Sequence, residues 1–293
     1  MSHPGREHTA GKLSTVLLRT DDGVDIAVYE WGPGRGSPIL LAHPTGFCGQ
    51  IWEPTAEILA ANGHRVVSFD FRGHGDSSAD PDGTYTWERF ALDALAVASW
   101  IDDPRLVGAG HSKGAASLLI GAAESPHIYA RIWAFEPIVF PSEVRAKPDH
   151  DFPLAVGARK RRNEWASPDE AFEVYSTRGP LSVMDHRCLR AYVNNALRDR
   201  GDGVYELKCA PETEAMVYTM GPVNGAWSRL GDIRIPVTLL CGGNSTDMGP
   251  RMIALLAERL PNCTTTIWEG HGHFGPQADP ERTAESILDA ART

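Results

Sequence analysis

The chain is poor in cysteine, short of positive charge and without a long apolar stretch, and each lack removes a class of protein. No apolar run reaches the ~18 residues of a membrane helix. The N-terminal stretch MSHPGREHTAGK has no apolar core behind a basic segment, so it does not read as a signal peptide. Lysine and arginine number 28 against 38 aspartates and glutamates, a net charge of −10. That acidic balance disfavours nucleic acid and anionic lipid as partners. The 5 cysteines lie scattered at positions 48, 188, 209, 241 and 263. Their number is odd and their spacing fits no metal site. They read as free, mostly buried thiols in a cytoplasmic protein. There is no internal repeat and no low-complexity tract. What is present is ordinary globular usage, 42% hydrophobic and 23% charged. A chain of 293 residues can bury a large core without disulfide staples.

Two kinds of pattern divide the chain. Ser14 to Arg19 and Asp25 to Trp31 read as a hairpin turning at Asp21-Asp22-Gly23. Short apolar strands follow at Pro38 to Ala42, Arg65 to Phe69, Leu106 to Ala109 and Ile132 to Phe135. Wholly apolar strands are those covered on both faces, as in a parallel sheet. Between them, Ile51 to Ala61 and Trp87 to Ile101 carry helix-spaced apolar residues, with Thr86 placed to cap the second. The alternation returns late in the chain. Pro236 to Leu240 and Thr264 to Trp268 are strands, and Pro250 to Leu260 and Pro280 to Ala290 are helices that begin with proline. Strands alternating with helices imply βαβ units.

The segment 138–230 has no clear short apolar strand. It holds Trp165, Phe172, Tyr175, Met184, Tyr192, Met216, Tyr218, Met220 and Trp227, most of which should be helix core. It reads as a helical insertion over the sheet's end, closing the core formed by 1–137 and 231–293. A lid must present some apolar surface to a ligand. Trp165, Met184 and Trp227 are the expected contributors, with His43, Phe47 and His111 from the core. Arg159-Lys160-Arg161-Arg162 reads as a solvated basic face.

The strongest chemical signal is Gly110-His111-Ser112-Lys113-Gly114. It follows an apolar strand and precedes the helix-former AASLLIGAAE, the context in which G-x-S-x-G lifts a serine above the sheet's carboxyl edge. A serine hydroxyl needs a base, and with such an elbow the base follows the last strand. Two histidines compete there, His271 and His273. His273, followed by Phe274 and then by a proline-led helix, is the better placed. The third member is an acid that fixes the imidazole. Its usual seat follows PVTLL, where Ser245 stands and Asp247 lies further on. Glu136, ending the apolar strand IWAF, is the other option. A carboxylate there costs burial energy unless paired, which places it ahead of Asp247. The oxyanion needs two amides. Lys113 should supply one. Pro44 has no N–H, so Thr45, with Gly46 as the alternative, should supply the other.

These features resemble the α/β-hydrolase fold over nearly the whole chain: a mostly parallel eight-stranded sheet flanked by helices, with a helical cap. The stretch Phe69-Asp70-Phe71-Arg72-Gly73-His74-Gly75-Asp76-Ser77-Ser78 is similar to a turn of that superfamily whose role is structural. An acid in Phe-Glu-Pro after the sixth strand resembles the zearalenone-type lactonases. It also resembles haloalkane dehalogenases, from which Ser112 departs by replacing their aspartate nucleophile. His43-Pro44 stands where His-Gly is frequent. The resemblance implies a serine hydrolase acting on a small, mostly apolar ester or lactone, with no metal or organic cofactor. It leaves open a carbon–carbon bond hydrolase with the same triad, and a non-catalytic ligand-binding protein. The expected partner is a small molecule, and the oligomeric state, a homodimer included, is undetermined by sequence.

Overall fold

The computed structural model describes residues 14–141 and 148–292. The N-terminal stretch read above, and residues 142–147 of the expected cap, lie outside the described residues. The chain opens with the expected hairpin, β1 (Ser14–Arg19) and β2 (Asp25–Trp31). The buried strands β3 (Ile39–Ala42), β4 (Val66–Phe69), β5 (Val107–His111) and β6 (Arg131–Phe135) follow. Between them lie α1 (Glu53–Ala61), α2 (Trp87–Ile101) and α3 (Lys113–Glu124). The Thr86 hydroxyl accepts from the Arg89 amide and caps α2 as expected.

An insertion then leaves the sheet. It contains α4 (Pro153–Arg159), α5 (Pro168–Thr177), α6 (His186–Ala196), α7 (Pro211–Met220) and α8 (Ala226–Arg229). It is not purely helical. The short strands β7 (Glu164–Trp165), β8 (Leu197–Asp199) and β9 (Tyr205–Leu207) pair antiparallel in the order β7-β9-β8. Strands this brief are too short to show the period-2 pattern by which a strand is read from sequence. The core resumes with β10 (Val237–Gly242), α9 (Pro250–Ala257), β11 (Cys263–Trp268), α10 (Gly275–Ala278) and α11 (Pro280–Arg292).

Among the described residues the main sheet has 8 strands in the order β1-β2-β4-β3-β5-β6-β10-β11. β1, β2 and β4 pair antiparallel and the rest pair in parallel. Two apolar clusters pack its faces. One is built around α2, α3 and α8, the other around α1, α6 and α11. Four of the cysteines are buried, the fifth, Cys263, is partly exposed, and all are free.

The turn after β4 holds the loop after β3. Asp70, fully buried, accepts hydrogen bonds from Gly49 N at 2.6 Å, Tyr29 Oη at 2.6 Å and Asp76 N at 2.7 Å. His43 accepts from Phe71 N at Nε2 (3.1 Å), so its proton sits on Nδ1, 2.7 Å from Pro44 O. Arg72 is buried with its guanidinium on Asp93 (2.7 Å), Asp80 (2.8 Å) and Asp22 (2.7 Å). Removing the cation alone leaves the buried Asp93 carboxylate uncompensated, while Asp80 keeps its pair with Arg89. Arg72→Met should therefore lose about 3–5 kcal/mol of unfolding free energy, read as a lower urea midpoint.

Candidate active site

β5 delivers Ser112 into a sharp bend with φ 56° and ψ −116°, after which α3 begins. Gly114 makes the bend possible, because a Cβ there would lie 2.2 Å from Ala42 O of β3. One strand over, β6 ends in Glu136, again at positive φ (45°). The two bends are neighbours: Ser112 N donates to Phe135 O at 2.9 Å, and Glu136 N donates to Leu240 O at 2.8 Å. Positive φ costs a non-glycine residue of order 1 kcal/mol or more. Among the described residues, only Asp102 besides these two adopts it without being glycine.

The Glu136 carboxylate is fully buried and saturated with donors. Its Oε1 accepts from Gly242 N at 2.8 Å and Ser245 Oγ at 2.6 Å. Its Oε2 lies 2.5 Å from His273 Nδ1. A carboxylate can only accept, so the Nδ1 proton points to Glu136 and Nε2 carries the lone pair. The structure thus brings Glu136, rather than Asp247, to His273. Asp247 is exposed on the loop after β10. His271 turns away, with Nδ1 3.2 Å from Glu269 O and Nε2 3.9 Å from Asp279. Ser245 was visible in the sequence only as the residue in the usual acid's seat. Its hydroxyl holds the carboxylate that stands one strand away.

The His273 ring rests between His111 (4.7 Å between centroids) and Phe274 (5.5 Å). His111 is fully buried and also touches Phe135. Burial, then the nearby His273, holds its pKa well below the ordinary histidine value. It backs the His273 ring as a neutral imidazole. His43 is fully buried too, with one ring nitrogen on Pro44 O and the other on Phe71 N of the turn after β4. Trp227 lies on the flank of α3, under Arg259 at 4.4 Å, in the core cluster far from this loop set. Its apolar bulk fills the seam between α3 and the end of the insertion. Phe47 does join the site, with its ring 5.8 Å from Phe274 and 4.8 Å from Tyr192. Trp165 and Met184 are buried within the insertion's part of the same cluster.

Among the described residues the amides of Thr45 and Gly46 meet no backbone acceptor, and Lys113, the first residue of α3, has the unpaired amide of a helix start. The Lys113 side chain points the other way. It is fully buried, with Nζ 3.4 Å from His74 Nε2 and over the rings of Phe71 (4.1 Å) and Phe90 (4.5 Å). Burial draws its pKa down to about 7. No group of three or more metal-ligating side chains occurs among the described residues, and no described helix is long and apolar enough to cross a membrane.

A family model described as "Alpha/beta hydrolase family" matches residues 39–286. The chain belongs to this family. A non-heme chloroperoxidase of Streptomyces lividans is 30% identical over 92% of this chain and 97% of its own. A bifunctional esterase/perhydrolase of Acinetobacter calcoaceticus is 32% identical over 38% of this chain and 40% of its own. Other curated relatives align over about a third of their length. The peroxisomal alpha-beta-hydrolase Lpx1 of Saccharomyces cerevisiae superposes with a TM-score of 0.80 at 16% identity, covering 96% of this chain and 88% of that one. That likeness is one of fold. The relatives add a hydrolase class to the geometry and leave the substrate open.

Two outcomes follow from the contacts. Ser245→Ala removes one hydrogen bond to a buried carboxylate and should lower kcat/KM about tenfold, whereas Glu136→Gln, which upsets the His273 tautomer, should lower it by about 10⁴. Lys113 binds a proton below about 7 in the folded chain but below its ordinary 10.5 when unfolded. Unfolding therefore takes up a proton between those values, and stability should rise with pH across that window. Lys113→Met should raise Tm at pH 7 and flatten that rise, as measured by thermal melts from pH 6 to 10.

Proposed function

We propose that the protein is a serine hydrolase that cleaves a carboxylic ester or lactone through an acyl-enzyme. The observation that carries this reading is the His273–Glu136 hydrogen bond of 2.5 Å, set beside a serine in a strained strand-to-helix bend. His273 Nε2 takes the Ser112 proton as Oγ attacks the carbonyl carbon. The imidazolium so formed is stabilised by the Glu136 carboxylate. The developing oxyanion accepts from the Lys113 and Thr45 amides, with Gly46 as the alternative donor, at the positive end of α3. His273 then gives its proton to the leaving alcohol. Deacylation repeats the sequence, with water delivered as the nucleophile. In this reading the insertion 138–230 is the cap, and the bound molecule lies between it and the carboxyl ends of β3, β5 and β6. Phe47, Trp165 and Met184 form its apolar wall. Nothing in the mechanism calls on a metal or organic cofactor.

A second reading is favoured by the relative named as an esterase/perhydrolase. Any small nucleophile that reaches the acyl-enzyme can release it. Hydrogen peroxide would give a peroxy acid and free Ser112, with no change to the triad's role. The carbon–carbon hydrolase and the non-catalytic binding protein have no comparable support.

Incubation with a fluorophosphonate should label Ser112, and the wild type should hydrolyse short p-nitrophenyl esters. Ser112→Ala should lose labelling and about 10⁴-fold or more in kcat/KM. Equal turnover by the two proteins would sink the assignment. Ligand binding without labelling would favour the non-catalytic alternative. A peroxy acid product on adding peroxide would support the second reading.

A further inference from the structure

The basic run in the insertion is not a uniformly solvated face. Arg159 pairs with Glu212 at 3.1 Å and Arg162 with Glu170 at 2.7 Å, both pairs open to solvent. Arg161 turns inward. Its guanidinium lies 2.7 Å from Glu214, with only 16% and 9% of the two side chains exposed. It also donates to the Tyr192 hydroxyl. Tyr192, on α6, is buried, and its hydroxyl in turn donates to Gly46 O at 3.3 Å. Burial holds that phenol well above its ordinary pKa, so the proton it donates stays in place. The insertion thus reaches the loop after β3 through a hydrogen bond with a charge pair standing behind it.

Gly46 is gripped a second time. It has φ +79°, and a Cβ there would come within 2.5 Å of Glu214 Oε1 and 2.6 Å of its Cδ. The carboxylate that fixes Arg161 therefore also packs on the Gly46 Cα. The Tyr192 ring lies 4.8 Å from that of Phe47, the next residue. Phe47 meets Phe274 at 5.8 Å, and Phe274 meets His273 at 5.5 Å. At its other end the loop starts from Ala42, whose carbonyl oxygen would lie 2.2 Å from a Cβ on Gly114 of the serine bend. The segment from Ala42 to Phe47 thus touches the serine bend at one end and the ring beside His273 at the other. Within it, among the described residues, the amides of Thr45 and Gly46 meet no backbone acceptor.

We infer that Tyr192 is a positioning residue for the oxyanion amides: its bond to Gly46 O, braced by Arg161 and Glu214, sets the direction in which the Thr45 and Gly46 N–H groups point. The inference rests on the ester-hydrolase reading, in which those amides meet the developing oxyanion. A glycine has no Cβ to restrict its backbone, so the peptides around Gly46 turn easily unless something holds them. Oxyanion stabilisation depends on donors that do not have to reorient as charge appears. A buried ion pair is a poor source of stability. What this one supplies is a fixed place for the Tyr192 hydroxyl. Tyr175 serves as the internal control, because its hydroxyl accepts from the same guanidinium at 3.3 Å and, among the described residues, makes no bond to Gly46.

The test uses p-nitrophenyl butyrate and, as a mimic of the tetrahedral oxyanion, trifluoromethyl propyl ketone, which a serine nucleophile converts to a hemiketal. Tyr192→Phe keeps the ring against Phe47 and removes only the hydroxyl. Outright loss of an oxyanion donor costs ~10²–10³-fold in kcat, so a loosened one should cost about tenfold. Tyr192→Phe should therefore lower kcat about tenfold, leave KM within about twofold, and weaken ketone inhibition by the same factor as kcat. Tyr175→Phe should stay within about twofold of wild type in all three. In hydrogen–deuterium exchange, the peptide covering residues 43–52 should exchange faster in Tyr192→Phe and not in Tyr175→Phe. The role is overturned if Tyr192→Phe matches wild type in kcat and ketone inhibition, whatever its exchange does. It is also overturned if Tyr175→Phe loses as much as Tyr192→Phe, because the cluster then serves the fold alone. Both results leave the hydrolase reading standing, since the wild type still turns over the ester. If the wild type shows neither turnover nor ketone inhibition, the hydrolase reading fails and takes the oxyanion role with it, and the exchange result alone decides whether Tyr192 holds the loop.

Discussion

One buried carboxylate ties together the segments on which the site depends. Glu136 ends β6, yet its two oxygens reach Gly242 at the end of β10, Ser245 in the following loop, and His273 beyond β11. A charge in that position, with 1% of its side chain exposed, is tolerable because three donors meet its two oxygens. The same saturation sets the imidazole's tautomer and orientation. If the carboxylate shifts, three loops lose their common anchor together.

The loop after β3 is governed by a comparable arrangement, held from two sides. From below, Asp70 grips Gly49 N and His43 is fixed to Phe71 N. From above, Tyr192 bonds Gly46 O and the Glu214 carboxylate crowds its Cα. Thr45 lies between these holds, so the direction of its amide depends on both the sheet and the insertion. Preorganised amides stabilise a developing oxyanion because they need not reorient when charge appears. The insertion on this argument is part of the loop's scaffold.

The sequence carried the sheet because its central strands are short, largely apolar and separated by strongly periodic helices. α2 was legible to both ends, since Thr86 caps it and the apolar spacing stops at Ile101. The serine elbow was legible because glycine is forced at Gly114 by the backbone of β3. Glu136 was legible through the oddity of a carboxylate closing an apolar strand. The inward-turned pair of Arg161 and Glu214 in the insertion was not. Arg161 stands in a run of like charges, and nothing local distinguishes it from Arg159 or Arg162. Its inward turn comes from Glu214, fifty-three residues on, a long-range pairing that no periodicity encodes. The short strands β7 to β9 escaped for a related reason, being held by tertiary pairing more than by their own composition. Residue type singled out His43, His111 and Trp227 in the sequence, but only the structure shows that all three are buried.

The unfavourable terms in this molecule are concentrated in one shell. Ser112 and Glu136 hold positive φ on adjacent strand ends, Lys113 is buried as a cation at low pH, and Arg161 and Glu214 are a largely desolvated pair. Each costs stability, and none is needed to close the sheet. The fully buried strands β3 and β4 and the Arg72 knot supply the excess that tolerates them. Strain of this kind persists only where the surroundings over-determine the conformation. The parallel ladders on either side of β5 and β6 do so, because a bend at their carboxyl ends cannot relax without breaking register with β3 and β10. The strained geometry of Ser112 and Glu136 is therefore a property of the sheet's carboxyl edge, held by the ladders and not by the two residues themselves.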